Sequence, residues 1–455
     1  MERETLSENM PRLERTLTLG PIILFGLAFM ALTTVFSTYG IASDLSQGMV
    51  AGSYILALFV MLFTAYSYGV MAKRYPVAGS AYTYVQRAIS PSSGFLVGWA
   101  IMMDYLFIPM VNFMLFGIFF HDAFPAIPEW VFIISLLAIV TYINLKGVKV
   151  AVTTNLVIVV GSILFAILFT ILSIKALVSG EGSGVLFNMA PIINLSGEDS
   201  FKYIVAGASL LCFSFLGFDS VTTFAEEAKN PEKVMPKAIF LVTLIGGALF
   251  ITVSYFAHQV WPDFTTFKDT DAASAEIIKL VGGTSLQAVF LTIFALSIVG
   301  SALSSQASGA RILFAMGRDG QLPQKIFGRL HAKYKTPTFN ILLIGLISVS
   351  ATFLSLGLIA SFINFGAFIA FIMVNVSVIF VYFKFEKKNI KTSLLLLVLP
   401  LIGAGLDIWL FVNLDTYSLV LGSVWFLLGF VYLLFLTKGF KKPVPTMGAL
   451  SLVHD

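Results

Sequence analysis

The sequence predicts an all-α membrane protein of twelve transmembrane helices, and three observations predict it. Of the 455 residues, 58% are hydrophobic and 11% charged, against about 25% charged in soluble domains. The apolar residues gather into runs of roughly 20, the length that crosses a bilayer. The charged residues lie between those runs and are unevenly shared. Of the 28 Lys and Arg, 24 fall in the two terminal tails and in every second loop, which assigns both termini to the cytoplasm. Two ends on one side require an even number of spans.

The expected spans are 19–43, 50–72, 93–119, 128–145, 151–177, 203–225, 236–260, 285–314, 337–356, 358–383, 392–412 and 416–437. Residues 1–18 and 438–455 are read as cytoplasmic tails, and no stretch suits a soluble domain. The opening segment is polar for too long to be a cleavable signal. A single cysteine, Cys212, excludes an intrachain disulfide framework. The net charge of +4 comes from residues scattered between apolar spans, so no nucleic-acid surface is expected.

Taken in order, the spans differ in how cleanly they are apolar. Span 1 is interrupted around Ala31, Leu32, Thr33 and Thr34, which suits either a kink or a break. After span 2, the loop from Tyr75 to Ala88 contains Gly79 and Ser80 and reads as a sharp turn, structural or gating. Span 3 carries Asp104 near its middle without a basic residue in the same helix. A carboxylate at bilayer centre costs at least ~2.5–3.5 kcal/mol, so it reads as an anion facing a central cavity. The other reading is a neutral acid bonded to a neighbouring helix. Tyr105 follows and could add cation–π attraction; Pro109 predicts a kink. Spans 4 and 5 offer little chemistry.

Span 6 is the most interrupted. Phe213, Ser214, Phe215, Gly217 and Asp219 fall within seven residues, followed by Ser220, Thr222 and Thr223. Unwound backbone inside a bilayer is tolerated only where it lines a cavity, so a discontinuous helix is expected here. Asp219 either meets a ligand or caps N–H groups freed by the break. Glu226 and Glu227 are expected in solvent. Span 8 holds Ser297, Ser301, Ser304, Ser305, Gln306 and Ser308, suited to close helix packing or to supplying oxygen ligands for sodium. Arg311 and the following loop through Asp319 read as a cytoplasmic gate or anchor. Asn364 and Gly366 allow a kink in span 10. Spans 11 and 12 read as scaffold or subunit contact, with Asp407 paired locally.

Four stretches carry a resemblance: FSFLGFDSVTTFAEEAKNPEKVMPKAI, YPVAGSAYTYVQRA, GARILFAMGRDGQLP and FINFGAFIAF. Together they resemble the amino acid–polyamine–organocation (APC) transporter superfamily, over about nine-tenths of the chain. GWAIMMDYLF and LPLIGAGLDIWL are similar to the bacterial putrescine importers within it. The resemblance implies a LeuT-like fold of 5+5 inverted repeats over residues 19–383, with discontinuous helices 1 and 6 and with helices 11 and 12 (384–437) appended. It also implies alternating access by rocking of spans 1, 2, 6 and 7. Paired interruptions in equivalent helices point to a midplane binding site.

Two departures from the superfamily matter. Its amino-acid permeases place a glycine-rich turn in span 1, where bare N–H groups hold a carboxylate. This chain has Met30-Ala31-Leu32-Thr33-Thr34 instead, which favours a substrate without an α-carboxylate. The lysine that some relatives carry in span 5 is missing, and this removes one proton-coupling device.

No Walker loop, HExxH or Cys/His cluster occurs in the sequence, so no cofactor and no metal site are expected. The chain is expected not to be an enzyme. The expected activity is secondary transport, across a bacterial cytoplasmic membrane, of a small organic cation such as putrescine. The coupling ion is a proton or, alternatively, sodium. An α-amino acid permease is the alternative, ahead of a channel or sensor. The candidate substrate-binding residues are Ala31, Leu32, Thr33, Thr34, Asp104, Tyr105, Phe213, Ser214, Phe215, Gly217 and Asp219.

Overall fold

The computed structural model describes residues 15–77, 80–147, 152–194, 199–318, 320–334, 336–385 and 389–444. Most of each tail, Gly79 of the loop after span 2 and Asp319 lie outside them. The architecture is all-helical. Among the described residues, eleven helices are long and apolar enough to cross a membrane. The expected ninth span is shorter, an α-helix over Thr338–Ser348 continued by 3-10 turns over Val349–Thr352.

The chain begins with α1 (Leu19–Phe29), the four-residue α2 (Thr34–Ser37) and α3 (Tyr39–Leu45). Next come α4 (Val50–Arg74), the short α5 (Ser80–Ala88) and α6 (Pro91–Ala123). The loop expected after span 2 is therefore largely helix, entered through Ser80 at φ 49°. Helices α7 (Glu129–Lys146), α8 (Val152–Val178) and α9 (Ser200–Leu211) follow. Beyond the second break lie α10 (Pro231–Val260) and α11 (Ala273–Arg318), the latter bent at Gly283, φ 66°. Helix α11 starts well before the expected residue 285, because the run from Ala273 is itself helical and joins the span at the Gly283 bend. The chain continues through α12 (Gln324–Phe327), α13 (Thr338–Ser348) and α14 (Leu356–Phe385). It ends with α15 (Ile390–Ser393), π-helical turns over Leu394–Val398, α16 (Leu399–Phe411) and α17 (Thr416–Leu436).

Helix α4 packs along α10, and α6 packs between α11 and α14. The last helix, α17, lies against α6 and α14. There Trp99 Nε1 donates to the Trp425 carbonyl at 3.0 Å, and Trp425 Nε1 donates to the Trp99 carbonyl at 3.0 Å. The two indoles stack with centroids 5.2 Å apart. Each buried indole N–H thus finds the acceptor it needs inside lipid. Small residues permit the approach: a Cβ at Gly429 would stand 2.3 Å from the Trp99 ring.

Candidate functional site

Two helices come apart, and they do so against each other. Helix α1 ends at Phe29, and Ala31 adopts φ 45°, a left-handed conformation uncommon for a residue with a Cβ. Thr34 holds it there. Its N–H and its Oγ1 both donate to the Ala31 carbonyl, at 2.7 and 2.5 Å. In the sixth span, α9 tightens into 3-10 turns over Cys212–Phe215. Leu216 is then extended and Gly217 takes φ 115° before 3-10 turns resume over Asp219–Phe224. A Cβ at Gly217 would stand 2.7 Å from the Phe29 carbonyl carbon and 2.8 Å from the Met30 nitrogen. Only glycine allows both the angle and the contact.

Hydrogen bonds tie the breaks together. Thr38 Oγ1 donates to the Thr34 carbonyl at 2.9 Å and lies 3.4 Å from Tyr54 Oη, which lies 3.0 Å from Ser214 Oγ. At the far end of α1, the Leu17 N–H donates to the Glu227 carbonyl at 2.9 Å and the Lys229 N–H to the Leu17 carbonyl at 2.7 Å. Rings of Phe25 and Phe224 stack at 5.0 Å.

A cavity of about 160 Å³ lies beside this junction, below the ~300–1,000 Å³ of pockets for drug-sized ligands. Ala31, Leu32, Asp104, Tyr105, Gly217 and Asp219, all named from sequence, line it. Thr33, Thr34 and Phe213 line an adjoining space of about 70 Å³. Ser214 and Phe215 face the packed interior, the first bonded to Tyr54 and the second between Tyr54 and Phe250. Sequence reasoning missed Ser162 of α8. It left open the role of Ser297, Ser301, Ser304, Ser305 and Ser308, and these five form one wall of the cavity. Their spacing by three and four was the signal for a common face.

The two acids are held differently. Asp219 Oδ1 accepts from the Gly217 N–H at 3.2 Å and Oδ2 from Ser80 Oγ at 3.4 Å, so it caps the amide that the break exposes. Asp104 Oδ1 is buried without a hydrogen-bond partner. Among the described residues, no Lys or Arg lines the cavity. Pro109, one turn along α6, has no N–H to give the Tyr105 carbonyl, which faces Gly309 of α11. Asn112 Nδ2 donates to the Ile108 carbonyl and to Ser301 Oγ, each at 3.0 Å, and fixes α6 against α11. The arrangement is a hydroxyl-rich hollow lined by two acids, one engaged by a backbone amide and a serine and the other with an unpartnered oxygen.

The cavity opens on one side. Phe29 is 49% exposed and Ser304 is exposed at its mouth, whereas every residue from Leu32 to Gly40, past the break, is buried.

Among known proteins, the family model for amino acid permeases matches residues 22–446. The chain is 42% identical over 435 residues to the low-affinity putrescine importer PlaP of Escherichia coli (strain K12), covering 95% of this chain and 96% of that one. It is 28% identical to the methylthioribose transporter of Bacillus subtilis (strain 168), over 96% of both chains. It is 27% identical to the branched-chain amino acid permease BcaP of the same organism, over 94% of both.

Proposed function

From the premise that the chain belongs to the amino acid permease family of membrane transporters, we propose that it imports a small organic diamine, putrescine or a close analogue, by alternating access. It is a secondary transporter and not an enzyme. The observation that carries the diamine reading is Asp104, an acid on the cavity wall with no Lys or Arg among the described lining residues. An ammonium group supplies the missing charge, and Tyr105 lies beside it on the wall to offer its ring face. The capping of the Gly217 amide by Asp219 supports the same reading, since a bound carboxylate would have to displace an internal one.

The basic loops assign the open side of the cavity to the cytoplasm. The state described is therefore the inward-facing one, in a bacterial cytoplasmic membrane, with both termini inside. Conversion to the outward state rocks α1–α4, α9 and α10 against the remaining helices. The second acid, Asp219, lines the same cavity and would receive the far ammonium group once the Ser80 contact is broken.

Amino acids are the second reading. The amides of Leu32 and Thr33, at the first break, make no hydrogen bond among the described residues, and such amides can hold a carboxylate. Uptake of labelled putrescine by proteoliposomes, in competition with unlabelled diamines, branched-chain amino acids and a monoamine, separates the two. Displacement by diamines alone is the expected result. Displacement by amino acids alone would replace the diamine reading with the permease one.

A further inference from the structure

Asp407 of α16 is fully buried, away from the cavity. Its Oδ2 accepts from Thr64 Oγ1 of α4 at 2.8 Å and from Asn375 Nδ2 of α14 at 2.9 Å. Asn375 Nδ2 also reaches Thr64 Oγ1 at 3.2 Å, and Ser67 Oγ donates to Asn375 Oδ1 at 2.5 Å. Thr64 and Asn375 lie near the middles of their helices. A Cβ at Gly403 would stand 2.7 Å from Asn375 Oδ1, so a glycine lets α16 close on the cluster. Three helices therefore converge on one acid.

Asp407 Oδ1 has no partner. As a carboxylate the group buries a charge that no Lys or Arg among the described residues is seen to neutralise, which is costly inside lipid. As a neutral acid protonated on Oδ1 it leaves that O–H without an acceptor; protonated on Oδ2 it can donate to Thr64 Oγ1, 2.8 Å away, and leaves Oδ1 unmet. Neither protonation state is fully satisfied, although an amide or a hydroxyl could tie the three helices without any charge. The titratable groups within electrostatic reach are Tyr68 on α4 and Cys212 at the end of α9, and neither brings a positive charge. From α14 only the neutral Asn375 faces it.

The cluster also lies where movement is required. Thr64 belongs to α4, in the rocking group; Asp407 and Asn375 belong to the frame. Just along α16, the Leu410 carbonyl accepts from Ser209 Oγ of α9 at 2.7 Å. Asn364 Nδ2 of α14 donates to the Ser209 and Leu210 carbonyls at 3.0 and 2.8 Å. These bonds reach the turn that precedes the second break.

We propose that Asp407 is a proton-binding site separate from the substrate cavity, and that taking up and releasing a proton there controls the sliding of α4 against α14 and α16. The proton adds to Oδ1 from water and leaves to water when the helices part. The role in transport rests on the transporter reading above; the protonation itself does not.

Two measurements on the full-length protein test it. Infrared difference spectra across a pH step should contain a carboxylic-acid carbonyl band that Asp407→Asn removes and Asp104→Asn leaves in place. In proteoliposomes, one proton per diamine supports about tenfold more accumulation for each pH unit imposed. Asp407→Asn should lose that response while retaining putrescine counterflow at equal pH, and Asp407→Glu should restore it. A band untouched by Asp407→Asn overturns the proposal, as does a response to the gradient that survives in this variant. Loss of counterflow and of the response together, in protein that still melts cooperatively, also overturns it by making Asp407 a mere brace. Failure of the wild type to exchange putrescine at all would sink the diamine reading, and the infrared band would still decide for Asp407.

Discussion

Asp104 and Asp219 share one cavity, yet they differ in what already holds them. Asp219 is engaged by the Gly217 amide and by Ser80, whereas Asp104 Oδ1 is unpartnered. A hydrogen bond to a charged group contributes about 1.5–3 kcal/mol, and every 1.4 kcal/mol is tenfold in affinity. Asp104→Asn is therefore expected to weaken putrescine binding by about tenfold or more, read by equilibrium binding to purified protein. Asp219→Asn, which keeps an acceptor for the Gly217 N–H, is expected to cost less; an equal or larger loss would move the primary contact to Asp219. Asp104 was legible in the sequence because a lone acid in an apolar helix is expensive. Ser162 was not, because a membrane serine can satisfy itself on its own helix, as Ser162 does with the Ile158 carbonyl at 2.8 Å. Such a residue leaves no sequence trace of the surface it faces.

The paired breaks were legible at the level of helices, from polar residues placed where lipid allows none. Their mutual contact was not, since it depends on Gly217 meeting the backbone of Phe29 and Met30. The first break was the harder one to read, because Ala31 takes a left-handed angle where a glycine would have announced it. Gly217→Ala should destabilise this junction by about 1–3 kcal/mol through backbone strain, with further loss from the clash. The expected result is a lower melting temperature together with lost uptake; a variant with both unchanged would show that the breaks can separate freely. Tyr54→Phe removes the hydroxyl between Thr38 and Ser214 and should lower stability by about 0.5–1.5 kcal/mol. Thermal melting of the two purified proteins, with and without putrescine, checks it.

Across the whole molecule, apolar run length located the helices, and charge carries the proposal for their direction. The shortness of the ninth apolar segment was not apparent, because the chain leaves the helix through 3-10 turns at Val349–Thr352 while its composition stays apolar. Of the last two spans, α17 packs against α6 and α14. Its neighbour α16 instead carries Asp407 into the bundle, and its polar partners come from residues more than thirty positions away, beyond any local pattern. Orientation has a direct check. Reporters that mature only in the cytoplasm should be active when fused to either end, and an exported phosphatase should be inactive there; the opposite pattern would reverse the assignment of the open side.

The reciprocal indole clasp fastens α6 to the last helix five residues before Asp104. In the proposed mechanism the acid that grips the guest thus stands on an anchored post, while Ala31 and Gly217 ride on the jaw that swings. Grip and stroke are then one mechanical quantity: a guest short and supple enough to stay on the post lets the jaw travel. A rigid or elongated dication would wedge it, and such molecules should occupy the pocket tightly and never cross.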